Sequence, residues 1–572
     1  MVNNEKKPIN IIYGLHDNIP NKVAIPLVIQ QIVVLSMDLV LPVLIISMTG
    51  GSREVARNFV SIMMIGIGIG TLLQVLRKGA MGSGYFCAEE TGFLYYQASA
   101  LAVQTGGLAL LCGMTTIAGF FQVLLSKIIP RIRFLFPTEV AGLMVAMTGI
   151  AGIAPGVSAI FGIDDIKTTI DTTSMLIGII TLAIMVSLNV WGKSSMRQYS
   201  IFIGIVMGYI LSSLFGILKV DDIGQLVATP FVAVPSIRME WSFDERLVLP
   251  FFIAVICSTL KTMGNLAICQ KTNNANWKRV DIKNVGNGIF AEGIGTSFCG
   301  IIGCMGLNSS SSSVGLSIVN GVTSRYLAYL VSGVFIAMAF FPKAAALLAI
   351  MPAPVMGAVL LINLGYFIIE GFQIVASRML DDRKIFVVGL SLVLGLSVDL
   401  LPSIYAQFPV QLQPLFKSSL AVVSLTAISL NLLFRIGIKQ KSTIELTLGT
   451  DSTEKVINFM EGSGAAWGAR SEVIHRASSA IIEFFETALG LELVRDGKVK
   501  LEVSFDEYNL AVKVVYNGAL MEFPEKRPTD EELLNDDSAL VRLSGFLMRK
   551  YSNRIDSCIL GESCIVQFHF EH

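Results

Sequence analysis

The sequence predicts an all-α polytopic membrane protein followed by a small soluble α/β domain. Three observations lead there. The chain has 572 residues, 53% of them hydrophobic and only 15% charged, where a soluble domain carries about 25% charged residues. Its mean hydropathy is +0.66. Apolar stretches of membrane-crossing length recur from about Ala24 to Ile438 and then stop, and charged, amphipathic sequence follows Lys441.

The apolar stretches come in order, separated by short polar breaks. They are Ala24–Met48, Val60–Leu76, Leu101–Leu125, Val140–Ile160, Ser174–Trp191, Ile201–Leu214, Leu247–Ile268, Tyr326–Phe341, Val355–Ile369, Ile385–Leu401 and Leu420–Phe434. Three more read as short or broken: Tyr85–Tyr96, Ile289–Met305, and the Ser-rich run that follows. The total is about fourteen spans.

Basic residues set the orientation, because cytoplasmic loops are enriched in Lys and Arg. Counting the broken segment at Tyr85 as a span, clusters follow the second (Arg77, Lys78), fourth (Lys127, Arg131, Arg133), sixth (Lys193, Arg197) and eighth (Lys271, Lys278, Arg279, Lys283). They return at Arg378, Arg383 and Lys384, and at Arg435, Lys439 and Lys441. Each cluster follows an even-numbered span, which places both termini in the cytoplasm. Asp164, Asp165, Asp221 and Asp222 fall in the opposite loops.

Gly293–Arg325 is the stretch that bears on function. It is too apolar at its ends for a surface loop, and its centre, Asn308–Ser313, is too rich in Ser for a plain membrane helix. Non-helical backbone at membrane depth survives only when buried in protein or lining a cavity. Interrupted segments of this kind form transporter sites, with freed N–H groups and a helix N-terminus aimed at the ligand. A second interrupted segment, GSGYFCAEETG from Gly82, stands in the corresponding place of the first half. Each is followed, several tens of residues later, by a Pro- and Gly-marked helix start: Pro137–Gly142 and Pro352–Gly357.

Residues 442–572 read as a soluble domain of ordinary size, after a short N-terminal segment (1–22) and the membrane part (23–441). Arg470–Leu489 and Ser538–Tyr551 have helical periodicity. Lys498–Phe505 and Asn509–Tyr516 alternate as strands joined at Asp506-Glu507, and Ser563–Phe570 is a last strand. Zero net charge gives no basis for nucleic-acid binding. The polar start MVNNEKKPIN lacks the apolar core of a signal peptide. Eight Cys without CxxC spacing, six of them in apolar segments, read as packing residues. The four His lie outside the apolar spans, so no cofactor or metal site is expected.

The membrane part resembles the nucleobase–ascorbate transporters, or uracil/xanthine permeases, over nearly all of Ile12 to Ile438. Tyr13-Gly14-Leu15-His16-Asp17-Asn18-Ile19-Pro20 resembles the family's opening, Leu27–Pro42 its first helix, Phe136–Gly152 the start of its fifth, and Ala291–Arg325 its ninth and tenth, with the signature region at Ser312–Arg325. The resemblance implies two inverted repeats of about seven helices each, a core domain with short strands in broken helices three and ten, a gate domain that dimerises, and import of a nucleobase with a proton. The ligand-reading residues depart from the family. Gln30-Gln31 replaces Gln-His in the first helix, Lys261 stands for a Glu in the eighth, and Ser312-Ser313 replaces the Glu/Gln-Asn pair before Val314-Gly315. The soluble part resembles a degenerate histidine-kinase-like ATPase domain of the anti-sigma branch. Glu483 is in place, but Thr487 stands where the Mg²⁺-binding Asn belongs, and only Gly518 remains of the adenine-reading motif near Tyr516-Asn517-Gly518. His475 precedes Arg476 rather than the acidic neighbour of a phospho-accepting box.

The candidate substrate residues are Lys261, Asn265, Gln31, Cys87, Glu89, Ser310, Ser311, Ser312 and Ser313, with Asp38, Glu89 and Glu90 as candidates for coupling. A charged Lys at the bilayer centre costs at least about 3 kcal/mol, so Lys261 must face protein or water. It shares a helical face with Cys257, Ser258 and Asn265, and either contacts ligand or forms a structural bridge to Asp38 or Glu89. Asp38 lies about two turns beyond Gln31 and is either a proton acceptor or only an ion-pair partner. Of Glu89 and Glu90, one approaches the site and the other caps the next half-helix. The Ser run is either a linker or a donor-rich pocket, which with Lys261 opposite would suit an anionic or strongly polar planar ligand.

The function these features imply is not enzymatic. It is an elevator-type, ion-coupled permease for a nucleobase such as uracil or xanthine, or a related small polar compound, anions included. The protein would be a homodimer in the bacterial inner membrane, whose soluble domain meets a regulatory partner or a nucleotide. The alternative is a transporter-like sensor signalling through that domain.

Overall fold

In the computed structural model the chain divides into two units, Met1–Asn431 and Leu432–His572. The structure describes residues 7–571 apart from 48–49, 80, 133–136, 164–168, 194–195, 198, 219, 238–239, 276, 278–279, 377–381, 410–412, 417, 435–439, 450–451, 468, 470, 492, 507–508, 522, 529–537 and 561–562. Met48, Arg133, Phe136, Asp164, Asp165, Lys278, Arg279, Arg378, Arg435, Ile438, Lys439, Arg470, Glu507 and His572 therefore lie outside the described residues.

The first unit is helical. Its elements are α1 (Asn21–Ser36), continued through a 3₁₀ turn at Met37–Leu39 into α2 (Val40–Ser47), then α3 (Arg53–Val75), the strand β1 (Glu89–Thr91), α4 (Tyr96–Ile132), α5 (Thr138–Ala151), α6 (Ile153–Phe161), α7 (Thr172–Trp191) and α8 (Ser200–Leu214). They continue with α9 (Val248–Asn273), α10 (Ile282–Ile302), the strand β2 (Leu307–Ser309), α11 (Ser311–Val319), α12 (Arg325–Ala339), α13 (Pro342–Ala349), α14 (Ala353–Ala376), α15 (Asp382–Leu400) and α16 (Ser419–Phe434). Among the described residues eight helices are long and apolar enough to cross a membrane, or nine with α12 and α13 counted as one span bent by 80°.

Several boundaries differ from the sequence reading. Ile289–Met305 is not a broken segment: α10 runs unbroken to Ile302 and ends at Gly303, whose φ of 99° is the left-handed cap that glycine adopts readily. The glycines inside α10 serve packing instead. A Cβ at Gly293 would stand 2.8 Å from the Val123 amide nitrogen of α4, so the two backbones approach closely only because the side chain is missing. Val140–Ile160, expected as one span, is divided at Gly152 into α5 and α6.

The packing falls into two sets. α1–α4 and α9–α13 pack among themselves, with α10 on α4 and α12 on α3 as leading pairs. α5–α8, α14 and α15 form the second set, led by α14 on α5. That pair also closes over small residues: a Cβ on Gly142 would stand 2.6 Å from the Gly371 carbonyl.

The second unit is an α/β domain. Its strands are β3 (Gln440–Thr447), β4 (Val494–Phe505), β5 (Asn509–Gly518), β6 (Arg554–Leu560) and β7 (Ser563–Glu571), antiparallel in the order β3-β4-β5-β7-β6. Its helices are α17 (Ser452–Trp467), α18 (Ser471–Gly490) and α19 (Ser538–Tyr551). Alternation decides the faces: Leu501, Val503, Val512, Val514, Val566 and Phe568 share one core with Ile474, Ile481 and Phe484 of α18. The sequence reading placed α18, α19, β4, β5 and β7 and missed β3, α17 and β6. The domain opens at Gln440, inside the interval assigned to the membrane part.

Gly293→Val should force α10 and α4 apart and lower stability by about 1–3 kcal/mol, the range for overpacking a filled interface. Thermal unfolding of the detergent-solubilised protein measures it; an unchanged melting temperature would mean the helices separate without cost.

Candidate functional site

The site is built on two three-residue strands at the middle of the first helix set. β1 and β2 pair antiparallel, with Glu89 opposite Ser309, Glu90 opposite Asn308 and Thr91 opposite Leu307. All six residues are buried. Strands this short leave outer backbone groups without a ladder partner, and buried groups of that kind must be satisfied locally. The neighbouring helices do so. The Thr71 hydroxyl of α3 accepts from the Glu89 amide at 3.0 Å, and the Thr296 hydroxyl of α10 accepts from the Leu307 amide at 3.3 Å. Asn265 of α9 donates to the Ser309 carbonyl at 3.3 Å. At the strand ends the Gly92 amide donates to the Gly306 carbonyl and the Ser310 amide to the Ala88 carbonyl, both at 2.8 Å.

Strand alternation separates the two glutamates. Glu90 forms an ion pair with Lys261 of α9, Nζ to Oε1 2.8 Å, with both side chains buried. Glu89 lies against the α3 backbone at Gly70, and both its carboxylate oxygens lack a hydrogen-bond partner among the described residues. Lys261 is thus bridged to Glu90, not to Asp38 or Glu89 as expected. The half-helix cap assigned to one glutamate is absent too: a 3₁₀ turn opening at Gly92 leads into α4. The Lys261 ammonium also sits over the Phe367 ring of α14, 4.8 Å from its centroid, a cation–π contact between the two helix sets.

The remaining candidates sort by position. Gln31 is fully engaged in tying α1 to α11: its amide donates to the Ser313 carbonyl (3.2 Å) and the Ser317 hydroxyl (3.1 Å), and Ser313 donates back at 2.7 Å. Ser310 caps α11, accepting from the Ser313 amide. Asn265 donates to the Ser309 hydroxyl at 2.9 Å and accepts from Ser311 at 3.0 Å. Cys87 is not at the ion pair; it packs in an apolar cluster with Leu266, Cys269 and Val314. Asp38 lies in the 3₁₀ turn after α1 and accepts from Asn363 of α14 at 3.2 Å.

A cavity of about 560 Å³ opens beside these residues. From the first set it is lined by Asp38, Ser311 and Ser312, and from α14 of the second set by Asn363, Tyr366 and Glu370. Arg197, in the segment between α7 and α8, also reaches it. Of the Ser run, then, Ser311 and Ser312 meet open space, while Ser309, Ser310 and Ser313 are consumed in holding the strands and the helix start.

Sequence reasoning missed Glu292. It is fully buried in α10 and accepts from Gln122 of α4 at 2.7 Å and from the Ser258 and Thr262 hydroxyls of α9. Thr262 in turn contacts the Ser309 hydroxyl at 2.9 Å. One carboxylate thus locks α4, α9, α10 and β2 behind the cavity. The signal was present: a lone acid in the apolar run Ala291-Glu292-Gly293 is a functional candidate by default.

Comparison with known proteins decides the class. A permease family profile, that of the xanthine/uracil permeases, matches residues 23–404. The chain belongs to the xanthine/uracil permease family. Similar proteins include a Clostridium perfringens protein named as a candidate purine permease, 27% identical over 429 residues, covering 74% of this chain and 93% of its own. Xanthine permease XanP of Escherichia coli K12 is 25% identical over 451 residues, covering 74% and 94%. Among solved structures, that of SLC26A9 superposes with a TM-score of 0.50 at 14% identity, over 75% of this chain and 68% of that one, and shares the fold. This permease is an integral membrane transporter, not an enzyme.

Glu292→Ala should leave the Gln122, Ser258 and Thr262 donors unmet. At about 1–3 kcal/mol for each buried group left unpaired, the variant should unfold well below wild type, and Glu292→Gln, which keeps an acceptor, should lose less. Equal melting temperatures for the two variants would remove Glu292 from the framework.

Proposed function

We propose that this permease is a secondary active transporter of a nucleobase such as uracil or xanthine, or a related small polar compound, held in the cavity against Ser311 and Ser312. The carrying observation is that this cavity adjoins the paired strands and is walled by both helix sets. A ligand there touches hydroxyls at the start of α11 on one side and the amide and carboxylate groups of α14 on the other. Planar heterocycles with alternating donors and acceptors suit such a lining. Because Lys261 is already paired with Glu90, and the acids Asp38 and Glu370 outnumber the one arginine, Arg197, in the lining, the site favours the neutral form of the compound over its anion.

The same geometry supports an elevator-type movement. The first set, carrying the strands, Lys261 and the Ser run, acts as the moving core. The second set, with α14, acts as the gate and the dimer surface. The two interrupted segments and the two Pro-marked helix starts, at Pro137 and Pro352, support inverted repeats of about seven helices. The Lys and Arg clusters support cytoplasmic termini in a bacterial inner membrane. The soluble unit is read as a degenerate histidine-kinase-like module for regulation or dimerisation. Its antiparallel sheet packed on α18 supports that reading, and the Thr487 hydroxyl is turned back onto the Glu483 carbonyl at 2.7 Å, away from a metal-binding role.

A panel of neutral bases, purine anions and small carboxylates tests the reading. A compound at a hundred times its Kd adds about 2.7 kcal/mol to stability, and uracil or xanthine should do so where carboxylates do not. Ser312→Phe should fill the cavity and reduce uptake to background with the melting temperature retained. Stabilisation without any flux would transfer the reading to a ligand sensor.

A further inference from the structure

The Lys261–Glu90 pair has a consequence for coupling, and it rests on the transporter reading above. Glu90 lies at membrane depth on β1, and its carboxylate meets Lys261 Nζ at 2.8 Å with both side chains out of solvent. A carboxylate so placed must be neutralised, because an unpaired buried charge costs far more than a single contact returns. In an ion-coupled carrier a proton or metal ion from solution performs that neutralisation and leaves in each cycle. Here the cation is covalently part of the protein. Lys261 is held from three sides: by Glu90 on β1, by the Phe367 ring of α14 at 4.8 Å, and by its own helix α9, which Asn265 binds to β2. Asn308 adds a second donor to the same Glu90 oxygen at 3.4 Å. The other acids around the ammonium are Asp38, bonded to Asn363, and Glu370 on α14, both lining the cavity. Glu89 and Glu292 lie behind the strands, and Arg197 reaches the cavity from the second set.

We infer that Lys261 is a resident counter-cation that takes the place of a coupling ion at Glu90, so that this carboxylate draws no proton or sodium ion from solution as the carrier moves. A proton taken up in the cycle would then go to a buried carboxyl outside the pair, of which Glu89 has no hydrogen-bond partner among the described residues. The pairing also accounts for one departure of the sequence: a lysine on α9 needs an acid within reach, and Glu90 on β1 provides it.

The test uses the substrate-free, full-length protein first. Its melting temperature is measured in sodium and in choline across a pH series. Wild type should melt alike in both salts. Lys261→Gln, with Glu90 left uncompensated, should gain stabilisation from sodium or from lower pH relative to wild type. The charge-neutral double variant Glu90→Gln/Lys261→Met should fold and show no such gain, which keeps the test decisive if the single variant does not fold. Sodium stabilisation of wild type, an ion response of Lys261→Gln equal to wild type, or an ion-dependent double variant would each overturn the inference. In liposomes, an imposed sodium gradient should not drive radiolabelled xanthine or uracil above equilibrium in wild type, and sodium-driven accumulation would overturn it as well. No flux of either base, with the melting pattern intact, supports the resident cation and counts against the transport reading instead.

Discussion

Backbone polar groups at membrane depth have no solvent to turn to, and the organisation of this permease follows from that constraint. Where the chain leaves the helix at Glu89–Thr91 and Leu307–Ser309, the two strands pair with each other first. The groups left over recruit Thr71, Thr296 and Asn265 from three separate helices. Each of those helices must therefore stand at a fixed distance from the strands. The small residues that let α10 approach α4 and the Glu292 network that joins α9, α10 and α4 follow from the same requirement. Breaking the helices opens a site, and holding the break in place fixes much of the surrounding framework.

Charge obeys the same logic. A buried ion pair contributes little net stability compared with well-packed apolar residues, yet removing one member is costly because the other is left uncompensated. Lys261 and Glu90 are thus locked together, and neither is a free charge for a ligand. The cavity sees instead the hydroxyls of Ser311 and Ser312, the polar wall of α14 with Glu370, and the side chains of Asp38 and Arg197. With acids and an arginine both in its lining, such a cavity recognises a ligand by hydrogen-bond pattern and shape more than by net charge.

Much of the fold was legible. Hydropathy located the helices from Asn21 to Phe434 because lipid-facing and core-facing positions are both apolar, so the signal does not depend on the packing partner. Alternation located β4, β5 and β7, whose buried residues face one core. β3 and β6 were missed because, as edge strands, they bury little and so alternate weakly. At the site, the two interrupted segments and Lys261 stood out as polar features in apolar sequence. Which glutamate met Lys261 did not, because that depends on strand register and phase, and Glu89 and Glu90 are adjacent in sequence yet point to opposite faces. Glu292 was passed over because α10 was read as broken around its glycines. Those glycines are a packing surface for α4, and with the helix intact a lone buried acid within it becomes conspicuous.

The two helix sets are joined in different ways within and between themselves, and the proposed movement depends on that difference. Inside each set, backbones approach at glycine, as α10 does on α4 at Gly293 and α14 on α5 at Gly142 and Gly371. Such contacts gain their energy from close fit over many atoms and lose it with small displacements, so each set is stiff. Beside the strands, the seam between the sets holds a polar cavity, and the contacts across it among the described residues include Asn363 to Asp38 at 3.2 Å, Lys261 over the Phe367 ring, and Phe93 against that same ring at 5.3 Å. The polar contact can be exchanged for an equivalent one with water or ligand as the sets slide, at a cost of about one hydrogen bond. The Lys261–Glu90 pair lies wholly within the first set, so a sliding movement carries it intact, with its charge already balanced.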